Sequence, residues 1–67
     1  MYRIYKQNSA TYVTEYIAES EEDIQDLPKD LTSELDKRCA PGSTCIIPSD
    51  GDLIVYILGN DETWYKI

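Results

Sequence analysis

The sequence predicts a small α+β domain in which an N-terminal β hairpin, an acidic helical segment and a C-terminal antiparallel meander follow one another. Three observations carry that prediction. Residues 1–18 place β-branched and aromatic residues on either side of a turn-like QNSA. Residues 20–39 turn abruptly acidic, with apolar residues at helical spacing, and residues 44–67 hold three apolar runs separated by two turn signals. With 67 residues the chain has room for a single domain spanning 1–67. At that size one core supplies only a few kcal/mol unless something outside the fold helps.

In the first segment, Tyr2-Arg3-Ile4-Tyr5-Lys6 and TYVTEYIA are the two strands of the hairpin. At Ser20 the character changes. Ser20 followed by Asp23 is a variant of the capping box, and Glu21, Glu22 and Asp23 sit where the positive end of a helix dipole favours anions. Ile24 and Leu27 share one face of that turn, and Pro28 pushes Leu27 out of the helical region. A second helical stretch is expected to start near Pro28 or Asp30. It carries Leu31 and Leu35 on one side, has Lys37 and Arg38 in its last turn, and stops at Ala40-Pro41-Gly42.

Strands are expected over 44–48, 53–58 and 63–67. Asp50-Gly51 is a tight-turn signal and Gly59-Asn60-Asp61-Glu62 a slightly longer one, so the three strands form an antiparallel meander. The middle strand is apolar on both faces: Leu53, Val55 and Ile57 point one way while Ile54, Tyr56 and Leu58 point the other. Each face therefore needs a cover. Ile24, Leu27, Leu31 and Leu35 of the helical segment can supply one. The hairpin, with Ile4, Val13, Ile17 and its tyrosine rings, can shield part of the other, and a neighbouring chain is expected to complete it. Tyr56, Leu58, Trp64, Tyr65 and Ile67 are the interface candidates, since tyrosine and tryptophan suit half-wet protein contacts. The expected assembly is a homo-oligomer, a dimer or a trimer.

The formal charge of −7 is concentrated in the middle of the chain, where eight acidic residues between Glu19 and Asp36 face a single basic one, Lys29. No basic stripe is present, and phosphate affinity comes from clustered Lys and Arg, so nucleic acid is not an expected partner. No signal peptide and no 18-residue apolar run is read from the sequence, so no membrane association is expected.

Catalytic constellations are also missing. With no histidine, neither a Ser-His nor a Cys-His nucleophile pair can be assembled, and the three glycines at 42, 51 and 59 each fall at a turn rather than in a phosphate loop. Asp50 and Asp52 lie in one hairpin loop and Asp61 and Glu62 in the next. Those loops sit at opposite ends of one strand, roughly 20 Å apart, so the two pairs cannot share a metal or flank one bond. Cys39 and Cys45 flank five residues and cannot alone complete a tetrahedral metal site. They are either two reduced thiols at the edge of the core, the ordinary state in a reducing cytosol, or a disulfide if the Pro-Gly turn brings them within reach. The expectation is a protein with no enzymatic activity, no cofactor and no metal.

From residue 19 onward the order of signals is ESEEDIQDLP, a short helical segment, APGSTCII, a turn, and LIVYILGNDETWYKI. In Asp23, Leu27, Pro28, Gly42, Ser43, Tyr56, Leu58, Trp64, Lys66 and Ile67 it resembles a small module of bacteriophage virion proteins and fibre segments. The resemblance implies a non-enzymatic structural or accessory protein of a phage particle, head- or tail-associated. Such a protein is made in the host cytoplasm, is often packed as an oligomer, and acts through contacts with other virion proteins. The chain has no collagen-like or coiled-coil shaft, unlike long fibre proteins. An alternative from another class is a phage-encoded acidic inhibitor of a host defence or nucleic-acid enzyme. Its contact surface would be the carboxylates of Glu19, Glu21, Glu22, Asp23 and Asp26, standing in for DNA phosphates.

Overall fold

A computed structural model describes residues 1–31, 38–49 and 51–67. Five strands, β1 (Tyr2–Gln7), β2 (Thr14–Ala18), β3 (Thr44–Ser49), β4 (Asp52–Leu58) and β5 (Trp64–Lys66), form one sheet in sequence order. The β1/β2, β3/β4 and β4/β5 pairs are antiparallel, whereas β2 and β3 run parallel. Among the described residues the only helix is a short 3₁₀ piece, Glu21–Asp26.

The fold class is therefore mainly β, a five-stranded mixed sheet, and not the α+β arrangement that the sequence predicts. The helical expectation fails at Leu27, whose extended backbone (φ −68°, ψ 141°) ends the 3₁₀ turn just before Pro28. Pro28 to Leu31 and Arg38 to Ala40 are irregular, and the remainder of the expected second helix, Leu35 and Lys37 included, lies outside the described residues. The N-terminal hairpin is corrected in role as well. It does not lie over the meander but extends it edge to edge, because Glu15, Tyr16 and Ile17 pair with Thr44, Cys45 and Ile46 of β3. A parallel pair needs a long crossover, and residues 19–43 supply it.

The described part of that crossover, residues 19–31 and 38–43, is also the second layer. It covers one face of the sheet, where Tyr16, Ala18, Cys45, Ile47 and Leu58 are buried together with Leu27 and Cys39. Tyr16 sits at the centre of this core. Its ring meets Tyr2 edge-on at 5.6 Å and Trp64 edge-on at 6.1 Å, so three aromatic rings brace the sheet from β1 to β5. The indole N–H of Trp64 donates to the Pro28 carbonyl at 3.2 Å, which ties β5 to the crossover.

Buried polar groups are matched. The Thr14 N–H donates to the Ser43 hydroxyl at 2.9 Å, and that hydroxyl donates to the Ala40 carbonyl at 2.7 Å. No buried side-chain oxygen or nitrogen among the described residues is left without a partner. Cys39 and Cys45 are fully buried free thiols.

Candidate functional site

Strand register assigns every sheet residue to a face. On the covered side Ile4, Tyr16, Cys45, Tyr56 and Lys66 form a cross-strand row, with Ile47 beside Ile54 and Leu58 beside Trp64. The opposite side has two rows. The first runs through Arg3, Ile17, Ile46 and Val55, and the Ile67 N–H donates to the Val55 carbonyl at 2.9 Å to continue it. The second runs through Lys6, Glu15, Thr44, Ile57 and Tyr65, and Pro48 beside Leu53 lies below them. Ile4 and Lys6 face opposite sides because the β1 register shifts between them, a bulge at Tyr5.

Nothing in the described chain covers this second face. Leu53 is 61% exposed, Ile57 37%, Tyr65 50% and Ile67 77%. Ile17, Ile46 and Val55, in the middle of the row, are half-buried. A contiguous apolar sheet face on so small a protein is the signature of a contact surface, because isolated soluble chains rarely expose one. At its β5 rim the Tyr65 hydroxyl donates to the Asp61 carboxylate in a short hydrogen bond, and this raises the tyrosine's pKa. Its β1 rim carries Arg3 and Lys6, with Glu15 directly across from Lys6.

Tyr65 and Ile67 of the interface candidates reach this face. Tyr56, Leu58 and Trp64 point to the covered side: Leu58 is core, Trp64 closes the aromatic brace, and the Tyr56 hydroxyl donates to Glu21 at 2.6 Å. Sequence reasoning missed Ile17 and Ile46 as members of the surface. The signal was present in the two-faced β4, but it was offset by the expectation that the hairpin would lie across that face.

The acidic segment is partly occupied with holding the chain together. The Asp23 carboxylate accepts from the Met1 ammonium at 2.6 Å and from the N–H groups of Glu19 and Ser20 at 3.1 and 3.2 Å. The ammonium, followed by the backbone donors, holds the Asp23 pKa below the ordinary carboxylate range. Glu21 accepts from Tyr56 and lies 3.5 Å from the Lys66 ammonium, which lowers its pKa too. Glu19 only approaches the Met1 ammonium at 4.0 Å and stays exposed, so Glu19, Glu22 and Asp26 remain as plainly solvated carboxylates of the five.

Among the described residues no three His, Cys, Asp or Glu side chains converge as metal ligands, and no helix is long and apolar enough to cross a membrane. Burial raises the pKa of both thiols, that of Cys45 to about 11, which removes them as nucleophiles near neutral pH. No family model, no curated protein and no solved structure matches this chain.

Proposed function

We propose that this chain is a non-enzymatic structural or accessory protein that works by applying its open sheet face to other proteins. The observation that carries the reading is the apolar patch of Ile17, Ile46, Val55, Ile57, Tyr65 and Ile67, left uncovered while the crossover is spent on the other side. The lack of histidine and the inert buried thiols support the non-enzymatic part. The resemblance of the stretch from Asp23 through Ile67 to a virion module supports a place in a bacteriophage particle, with other particle proteins and copies of itself as partners.

The test is mass spectrometry of purified particles from a lysate producing this protein. Ile57→Lys changes a side chain that is already partly in solvent, so the variant should fold, yet it should be lost from particles. Reversing Glu22 and Asp26 to lysine should leave incorporation intact. Absence of the unaltered protein from particles would count decisively against the structural reading. An unaltered protein absent from particles, whose binding to a host nucleic-acid enzyme is lost on the acidic reversal and weakens steeply with salt, would instead favour the acidic-inhibitor reading.

A further inference from the structure

The charge distribution restricts what can lie on the open face. Each chain carries −7, yet Arg3, Lys6 and Glu15 are the charged members of the two open rows, while Glu19, Glu21, Glu22, Asp23 and Asp26 all belong to the covering layer behind the sheet. Two copies that meet face to face thus place their acidic layers on the outside, as far apart as the molecule allows. An approach through the covering layer brings at least one acidic layer into the contact.

We propose that a second copy of this chain covers the open face, in a symmetric sheet-on-sheet dimer whose two-fold axis runs along the strands. The proposal deepens the contact-surface reading above and rests on it. Such an axis sets β1 of each copy over β5 of the other and β3 over β3. The row of Lys6, Glu15, Thr44, Ile57 and Tyr65 then lies over its own reverse, so Lys6 stands over Tyr65 and the Asp61 carboxylate that Tyr65 binds. In the row below, Ile17 meets Val55 and Ile46 meets Ile46. The other face-to-face choice, an axis across the strands, stacks β1 on β1 and, with the axis between the two rows, opposes Arg3 of each copy to Lys6 of the other. Like charges there select the first arrangement.

The area is adequate for a modest dimer. Five strands about 4.8 Å apart and about 20 Å long present roughly 480 Å² of flat face per copy. The pair therefore buries about 1,000 Å² before side-chain relief is counted, near the lower limit for a specific interface. Aligned packing at about 30° between the two strand sets is the geometry that twisted sheets adopt. It converts the present two-layer molecule into a four-layer one with a sandwich core.

Sedimentation equilibrium from about 1 to about 500 µM tests association, with dimers expected to dominate by about 100 µM. The same reversal sets Ile57 over Glu15 of the second copy, so Ile57→Glu should raise the dissociation constant about a hundredfold, because the new carboxylate is buried against a like charge. Lys6→Glu should raise it about tenfold, and the double variant Lys6→Glu/Asp61→Lys should recover most of that loss, since both cross-copy pairs are restored with reversed sign. Lys6 also faces Glu15 within its own chain, so melting curves at about 1 µM, where the chain is monomeric, check that each variant remains folded. A monomer across the whole range, an Ile57→Glu protein that dimerises like the parent, or a double variant no tighter than Lys6→Glu would each overturn the proposal. A chain that is monomeric in solution yet loses particle incorporation on Ile57→Lys would retain the contact-surface reading and remove self-association. A dimer absent from particles would do the reverse.

Discussion

Trp64 offers the sharpest test of how the sheet is tied to its single covering layer. Its indole stands edge-on to Tyr16 and donates to the Pro28 carbonyl at 3.2 Å, so the side chain both packs and bonds. Truncation to alanine removes about 150 Å² of apolar burial from this partly buried ring, worth about 4 kcal/mol at 25 cal/mol per Å². Replacement by phenylalanine keeps most of the ring contact and loses the hydrogen bond, leaving the carbonyl to find water, at about 1–2 kcal/mol. A domain of this length has roughly 3–10 kcal/mol in total. Trp64→Ala should therefore approach the unfolding midpoint at room temperature, while Trp64→Phe should lose roughly 5–10 °C in melting temperature. Urea titration followed by far-UV circular dichroism reads both variants without depending on the lost fluorophore. An alanine variant whose midpoint matches the parent, or a phenylalanine variant as unstable as the alanine one, would refute the brace.

Other perturbations act on separate features. The lowered Asp23 pKa contributes stability that is present above its unfolded value of 3.8 and is lost as pH falls through the folded value. The raised Met1 ammonium pKa contributes stability present below 8.0 and lost as pH rises through its folded value, so Asp23→Asn should flatten both limbs of a plot of melting temperature against pH. Gly51→Ala should cost about 1–2 kcal/mol, because Gly51 has φ +86° and the new Cβ meets no atom within 4 Å, so the penalty is conformational alone; a melting temperature unchanged from the parent would exclude it. The thiols of Cys39 and Cys45 should react with an aromatic disulfide reagent only on unfolding, and fast labelling of the native protein would contradict their burial.

What the sequence made legible was local. Alternation and turn chemistry placed strands near their observed positions, and Ser20 with Asp23 marked the start of the 3₁₀ turn, where the Asp23 carboxylate accepts the Ser20 N–H. The errors were tertiary. Acidic residues with Ile24 and Leu27 at turn spacing are equally compatible with a 3₁₀ turn and with a longer helix, and the choice fell to how the chain must travel between β2 and β3. That parallel pairing has no signature in either strand's residues, since Tyr16 and Cys45 become neighbours only when the crossover closes. The same pairing decided the candidate surface. Once the hairpin lies beside β3 it cannot also lie over it, and the second apolar face of β4 is left open.

Self-association through the open face would couple assembly to stability in a way that a melting curve can read. The crossover buries one side of the sheet, and a chain of this size has no further segment among its described residues to bury the other. If a second copy does so, only folded chains gain from the contact, and apparent stability must rise with concentration by mass action. For two copies of 67 residues the unfolding enthalpy is about 90 kcal/mol near 60 °C. Above the dissociation constant, each tenfold rise in concentration should therefore lift the melting temperature by about 5 °C. The Ile57→Glu protein, whose new carboxylate would meet Glu15 of the second copy, should melt at one temperature whatever its concentration. A parent protein equally indifferent to concentration, across a range in which it sediments as a dimer, would mean that the two copies meet without using this face to stabilise the fold.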